Sequence, residues 1–180
     1  MLIKPEQSCL IVIDMQERLV PAMQAPARTI KNAGVLIQAA KRLGIPTLLT
    51  EQYSKGLGPT VKDLKTLADG VPIIEKLHFS CMKDDGFAHQ FRSLNRKQVV
   101  IAGMEAHICV LQTAVNLMGE GYQIFVVTDA TSSRTIDSEK ACLDRLGAAG
   151  AGIVTTEMVV FEWLCKAGTE EFKELLPLVK

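Results

Sequence analysis

The sequence feature that most constrains the fold is a set of short, almost uninterrupted apolar runs rich in valine and isoleucine. Strands covered on one face alternate apolar and polar residues, whereas strands buried on both faces are apolar throughout. The runs therefore predict a parallel sheet with helices on both faces. Four strong runs and two weaker ones are present: Ser8–Ile13, Gln98–Ala102, Gln123–Thr128 and Ala151–Thr155, then Pro46–Thr50 and Pro72–Ile74.

Segments with the apolar spacing of helices separate the strands. Ile30–Leu43 repeats apolar residues at a period near 3.6 and stops before Gly44, a good helix end. Strict alternation of strands and helices predicts a doubly wound α/β sandwich, and the absence of a linker predicts a single domain over residues 1–180. The other predicted helices are Ala106–Met118, Asp137–Ala149 with Asp137 or Ser138 as cap, and Glu170–Leu176 with Thr169 as cap.

The charge balance and the cysteine pattern restrict the possible partners and location. Twenty lysines and arginines match 20 aspartates and glutamates, so the formal net charge is zero. We therefore expect neither nucleic acid nor a membrane as partner, because both require a basic surface or an apolar span. The N-terminus carries no signal-peptide pattern, and five scattered cysteines without a C-x-x-C pair predict reduced thiols in the cytoplasm.

Three reactive side chains follow predicted strands. Asp14 follows the first strand, Lys76 follows the third, and the turn after the fourth leads to Cys109. Because the carboxyl ends of parallel strands meet at one edge of the sheet, we expect these side chains to lie together. Taken singly, Asp14 could cap a turn, Lys76 could be a solvated charge, and Cys109 could be core. Their coincidence at one edge favours a catalytic set.

The chemistry of the set is that of a thiol nucleophile. Asp14 could take the proton of the Cys109 thiol as general base and return it as general acid. With Cys109 in the first turn of a helix, we expect the helix dipole and the Lys76 ammonium to lower the pKa of the thiol. Backbone N–H groups in the turn before Cys109 could bind the oxyanion of a tetrahedral intermediate.

Five segments resemble the isochorismatase-like cysteine hydrolase superfamily, nearest to its YcaC-related branch and the isochorismatase domain-containing proteins. They occur in family order and span essentially the whole chain. The resemblance implies a three-layer α/β/α sandwich, a Rossmann-like parallel sheet of about six strands, and a homodimer or larger homo-oligomer. The segments are Ile11–Gln16, Thr50–Thr60, Glu75–Cys81, Gly103–Val110 and Val127–Arg134.

The resemblance also implies the composition of the site. It assigns a catalytic triad to Asp14, Lys76 and Cys109, and a non-proline cis peptide bond between Met104 and Glu105. The backbone N–H groups of Glu105 and Cys109 would form the oxyanion hole. No cofactor is implied.

One departure from the superfamily concerns a metal. Its nicotinamidases bind a metal through an Asp-x-His element after the second strand, together with another histidine. Here Gln52 and Tyr53 stand in that region and no histidine is present, so we expect no metal. Gln52 and Tyr53 are instead candidates for contacts with substrate, as are Phe79 and His107, although each could equally be a packing residue.

We therefore expect a cysteine hydrolase that cleaves a small amide or carbamoyl-type C–N bond through a thioester. The substrate would be a small molecule. The main alternative is a scaffold or metabolite-binding protein that keeps the fold without turnover. A weaker one is a redox-sensing thiol, for which the sequence offers no obvious resolving cysteine, because Cys81 cannot be placed near Cys109 from sequence.

Overall fold

The computed structural model describes all 180 residues and contains one six-stranded sheet in which every strand pairs in parallel with its neighbours. The strands follow the order β3-β2-β1-β4-β5-β6. The order reverses between β1 and β4, and ligands bind at such a point in open parallel sheets. The strands are β1 Ser8–Ile13, β2 Thr47–Gln52, β3 Ile73–Lys76, β4 Gln98–Met104, β5 Gln123–Ser132 and β6 Gly152–Val154.

Helices cover both faces of the sheet, which confirms the predicted three-layer α/β/α sandwich. One apolar core packs α1, α3, α7 and α8 against one face, and a second packs α4, α5 and α6 against the other. The helices are α1 Pro26–Arg42, α2 Ser54–Leu57, α3 Lys62–Leu67, α4 Asp85–Ser93, α5 Leu111–Gly119, α6 Ile136–Ala148, α7 Thr156–Leu164 and α8 Glu170–Val179. None of them is both long and apolar enough to cross a bilayer.

The central strands show why the apolar runs were informative. All six residues of β1 and all seven of β4 are buried, since each strand has a neighbour on both sides and a helical layer on both faces. Some strands extend beyond the apolar runs that predicted them. In particular, β4 continues to Met104 and β5 to Ser132, because ladder pairing persists at the edge where the site forms.

Two helix predictions required correction. The cap of α6 is Thr135, whose hydroxyl accepts from the N–H of Ser138, rather than Asp137 or Ser138. Thr169 does cap α8, but a further helix, α7, precedes it and was not predicted. Its apolar residues lie around most of the helix surface, so no amphipathic period distinguishes it from a buried run.

Gly103 allows the two central strands to approach closely at the site. Its φ is +136°, and a Cβ atom placed there would lie 2.3 Å from the carbonyl oxygen of Ile13. Any larger residue would push β1 and β4 apart. The glycine therefore keeps the ends of these strands together.

Candidate active site

The carboxyl ends of the strands place the predicted catalytic side chains at one edge of the sheet. Asp14 directly follows β1, Lys76 is the last residue of β3, and Cys109 lies in the turn after β4. Since β1 lies between β2 and β4, Asp14 stands at the point where the strand order reverses.

Asp14 and Lys76 form a fully buried ion pair. The Lys76 ammonium donates to Asp14 Oδ2 at 2.7 Å, and the Thr50 hydroxyl donates to Asp14 Oδ1 at 2.6 Å. Burial acts to lower the pKa of Lys76, but the surrounding negative charges, first that of Asp14, outweigh it and raise the pKa. Lys76 is therefore a cation at neutral pH.

Gln52, a candidate for contact with substrate, binds Lys76. Its Oε1 accepts from Lys76 Nζ at 2.6 Å, and its Nε2 donates to the carbonyl of Leu77 at 2.8 Å. The buried amide of Gln16 accepts from the Gln52 N–H at 2.7 Å and donates to its carbonyl at 3.0 Å. The side-chain amide of Gln52 is thus engaged at both ends within the chain and orients the lysine.

Cys109 lies in a π-helical turn, Ala106–Val110, that leads into α5 rather than in the first turn of a regular helix. The residue is 6% exposed. Burial raises the pKa of the Cys109 thiol, the charge of Asp14 and a hydrogen bond to it raise it further, and Lys76 opposes them. The expectation of a lowered thiol pKa is therefore wrong, because burial and a carboxylate outweigh one ammonium.

A second buried thiol, that of Cys81, lies beside the same groups. Its backbone N–H donates to the hydroxyl of Thr113, which lies four residues after Cys109. Burial raises the pKa of Cys81 to about 12; Asp14 adds to the rise and Lys76 opposes it. Sequence reasoning could not place this cysteine, whereas the structure brings it next to the predicted triad.

The loop before Cys109 is held by the end of β5. The peptide bond between Met104 and Glu105 is cis, and no group of the chain accepts a hydrogen bond from the Glu105 N–H. Three consecutive residues of β5 and the turn after it each contact this loop. Ser132 pairs with Met104 in the sheet, Ser133 Oγ bonds His107 Nδ1 at 2.9 Å, and Arg134 Nε donates to Glu105 Oε1 at 2.6 Å.

Apolar side chains stand exposed near Lys76. Tyr53 and Phe79 are each 53% exposed, and Leu77 is 67% exposed. A cavity of about 390 Å³ lies there, lined by Tyr53, Lys55, Glu75, Lys76, Leu77 and Asp84. Tyr53 and Phe79 are therefore accessible for contact with a ligand, whereas the ring of His107 is engaged by Ser133.

Sequence reasoning missed three side chains that complete the site. Thr50 binds Asp14, Gln16 joins the ends of β1 and β2, and Arg134 binds Glu105. Each lies in a segment that carries the family resemblance, but nothing in the residue types indicated these pairings. No group of three or more His, Cys, Asp or Glu side chains is arranged to hold a metal ion.

Comparison with known proteins gives consistent results. Residues 8–158 match the model of the isochorismatase domain. The secreted isochorismatase effector Isc1 of Phytophthora sojae is 35% identical over 98% of this chain and 86% of its own length. The structure of MAR1 ribonuclease from Caenorhabditis elegans matches with a TM-score of 0.93 at 36% identity, covering 99% of this chain and 92% of that one. The YcaC gene product of Escherichia coli, described as an octameric hydrolase of unknown specificity, matches with a TM-score of 0.92 at 25% identity, covering 98% and 90%.

Proposed function

The chain belongs to the isochorismatase family, and we propose that it is a cysteine hydrolase whose catalytic residues are Asp14, Lys76 and Cys109. The observation that carries the proposal is the fully buried Asp14–Lys76 pair beside the Cys109 thiol. Removing two charges from water costs several kcal/mol per ion, and apolar residues of similar size would stabilise a scaffold as well or better. Retention of the pair next to a thiol therefore favours a catalytic role.

The first half-reaction acylates Cys109. Because the pKa of Cys109 is raised, its thiol is protonated before the reaction. As the sulfur attacks the carbonyl carbon of the substrate, Asp14 takes this proton. The new S–C bond produces an oxyanion, which the N–H groups of Glu105 and Cys109 stabilise. Collapse breaks the C–N bond, and Asp14 returns the proton to the departing nitrogen.

The second half-reaction releases the acid. Water attacks the thioester carbon while Asp14 takes one of its protons. The S–C bond then breaks, and Asp14 gives that proton to the departing sulfur, which restores the Cys109 thiol. In both steps the Lys76 ammonium holds the Asp14 side chain in place, with Gln52 and Thr50 fixing the pair. Asp14 returns each proton that it takes, so the two steps as written are complete with groups of the chain, the substrate and water.

The substrate class that we propose is a small amide or carbamoyl compound. Tyr53 and Phe79 stand exposed on the segments that flank Lys76, where they offer apolar contact to a small molecule. The equal numbers of acidic and basic residues support a small-molecule substrate over nucleic acid. The word ribonuclease in the name of the Caenorhabditis elegans protein describes that protein, and we do not carry it over to this chain.

The test is a screen of small amides and carbamoyl compounds with Cys109→Ala and Cys109→Ser. We expect a substrate that the parent hydrolyses, with a loss of more than 100-fold in kcat in both variants. Cys9→Ala, which removes another buried thiol at the opposite end of the sheet, is the control and should retain activity. Activity of both Cys109 variants equal to that of the parent would overturn the proposal.

The alternative, a scaffold without turnover, makes a different prediction. A scaffold would bind a metabolite or partner equally well in the parent and in Cys109→Ala, and no covalent intermediate would form. Quenching a reaction with acid and measuring the intact mass separates the two, because a thioester adds the mass of the acyl group to Cys109.

We also propose that the chain self-associates. The octameric assembly of the Escherichia coli relative supports this, as does the absence of net charge. An apolar groove of about 560 Å³, lined by residues that include the exposed Leu2 and Phe161, offers surface for it. Light scattering after size-exclusion chromatography checks the proposal, and a monomer mass at all micromolar concentrations would contradict it.

The location that we propose is the cytoplasm. All five cysteines are free, as expected in a reducing compartment. The Phytophthora sojae relative is named as a secreted protein, a location that its name gives for that protein alone. Chain isolated from its source without reduction and then unfolded in urea should alkylate at five thiols; a disulfide would contradict this location.

A further inference from the structure

The geometry points to Arg134 as a positioning residue. Its ion pair with Glu105 holds in place the residue whose N–H would bind the oxyanion, and it neutralises the side-chain carboxylate of that residue. This inference rests on the proposed function, since it concerns the same acylation step. It adds a residue that lies outside the triad and outside the cis peptide.

The ion pair is directed at the loop that precedes Cys109. Arg134 Nε donates to Glu105 Oε1 at 2.6 Å, and the Glu105 side chain is 12% exposed whereas that of Arg134 is 57% exposed. The carboxylate is therefore mostly shielded from water, and Arg134 is the cation that it meets. Loss of that cation would leave a poorly solvated charge.

The backbone of Glu105 explains why the side chain matters. Its carbonyl accepts from the N–H groups of Ile108 and Val110, while its own N–H donates to no group of the chain. The free N–H is the group that the oxyanion would use, and its direction depends on how the residue is held. The Arg134 contact holds the residue from the turn after the neighbouring strand β5.

Arg134 is itself fixed. Its carbonyl accepts from the side-chain amide of Gln24 at 2.7 Å, and the carbonyl of Ser133 accepts from the Gln24 N–H at 3.0 Å. The N–H of Ser133 donates to Glu139 Oε2 at 3.2 Å. The guanidinium therefore projects from an anchored segment rather than from a free loop.

The charge of Glu105 gives a second reason for the pair. An unpaired carboxylate near a developing oxyanion would raise the energy of the transition state, because like charges repel strongly in a poorly solvated site. Arg134 cancels that charge. Removal of Arg134 should thus weaken oxyanion binding through both geometry and electrostatics.

The experiment compares two reactions of the same sulfur. p-Nitrophenyl acetate acylates Cys109 through an oxyanion: the S–C bond forms, the ester C–O bond breaks, p-nitrophenolate leaves and Asp14 receives the thiol proton. Iodoacetamide alkylates the sulfur by direct displacement of iodide, with no oxyanion. The release of p-nitrophenolate and the mass of the Cys109 peptide measure the two rates.

For Arg134→Gln we expect acylation to slow by 10- to 100-fold and alkylation to stay within twofold of the parent. Arg134→Lys should recover part of the loss, because the charge remains while the planar donor geometry does not. The double variant Glu105→Gln/Arg134→Gln should acylate faster than Arg134→Gln, since no unpaired charge remains. Arg92→Gln is the matched control, with a similar exposure of 54% and a partner in Glu120, and should change neither rate.

Three results would overturn the inference. Acylation of Arg134→Gln within twofold of the parent would show that the pair has no catalytic effect, and an equal fall in acylation and alkylation would show general damage to the site. A parent chain that is alkylated but never acylated at Cys109 would overturn the proposed function and this inference together. An acylated parent with an unaffected Arg134→Gln variant overturns the inference alone.

Discussion

Two ion pairs accompany Cys109, and they differ in burial rather than in chemistry. The Lys76–Asp14 pair has no exposed side-chain surface, whereas Arg134 is 57% and Glu105 12% exposed. In the interior neither charge can be solvated alone, so each partner depends on the other. At the rim, the guanidinium is already largely in water, so the pair contributes less to stability. The buried pair should therefore matter for both stability and chemistry, and the rim pair mainly for chemistry.

The largest effect on stability is expected for Lys76→Met. The variant leaves the Asp14 carboxylate buried with the Thr50 hydroxyl and the Cys109 thiol as its side-chain donors, which should cost about 3–5 kcal/mol in the free energy of unfolding. Urea denaturation at pH 7 measures it. The double variant Lys76→Met/Asp14→Asn should regain most of that stability without activity. A cost below about 1 kcal/mol for Lys76→Met would contradict the comparison, because such values are typical of exposed pairs.

The second prediction concerns the pH dependence of the thiol beside the buried pair. Because the pKa of Cys109 is raised, its alkylation rate should still rise about tenfold per pH unit between about pH 8 and 10, whereas a free thiol of pKa ~8.5 levels off. Asp14→Asn removes a charge that raises this pKa and should shift the rise to lower pH. Peptide mass spectrometry follows Cys109 separately, and a plateau near pH 7 would show that Lys76 dominates after all.

The same shift has a consequence for stability. The folded chain holds the thiol proton more tightly than the unfolded chain, so the contribution of Cys109 to stability is complete below about pH 8.5 and is lost as the pH rises above it. Cys81 acts in the same direction, with a pKa raised to about 12. Urea midpoints of the parent should therefore fall between about pH 8.5 and 11.

Thr50→Val should have an intermediate effect. The substitution keeps the branched shape in β2 but removes the hydroxyl that donates to Asp14 at 2.6 Å. A buried hydrogen bond to a charged group contributes about 1.5–3 kcal/mol, and we expect a loss of that order in urea denaturation. Thr47→Val, at the other end of the same strand, is the control, since its hydroxyl contacts only a carbonyl at 3.3 Å. Equal losses in the two variants would argue against a special role for Thr50.

The smallest effect on stability is expected for Arg134→Gln. The guanidinium is largely exposed and the Glu105 carboxylate keeps some contact with water, so the loss in the free energy of unfolding should stay within about 1 kcal/mol. The matched variant Arg92→Gln should lose a similar amount. A loss of 3 kcal/mol for Arg134→Gln would place the two ion pairs in the same class and remove the distinction between them.

The predictability of this molecule from its sequence varied from element to element. The bounds of β1 were predicted without error, because six buried residues in succession leave a clear apolar signal. The ends of β4 and β5 were set too early, because glycine and polar residues interrupt the apolar signal there although ladder pairing continues. Helix α7 was missed for lack of an amphipathic period.

The candidate site, too, was predictable from the sequence only in part. The positions of Asp14 and Lys76 at strand ends could be anticipated from parallel topology, and the structure joins them at 2.7 Å. The partners of that pair could not, because Thr50 and Gln52 act through contacts between strands that residue type does not indicate. The direction of the pKa shift at Cys109 could not be predicted from the sequence either. It depends on how strongly burial and the Asp14 carboxylate, which raise the pKa, outweigh the Lys76 ammonium, which lowers it.

The sequence by itself determined the layered α/β architecture and the strand ends at which polar side chains gather, because apolar periodicity and strand termination are local properties of the chain. The tertiary structure alone decided that Lys76 meets Asp14 out of contact with water, that Cys81 joins the site, and that Arg134 reaches Glu105. These contacts join residues far apart in sequence, and their energies depend on burial. Burial is created only when the layers pack.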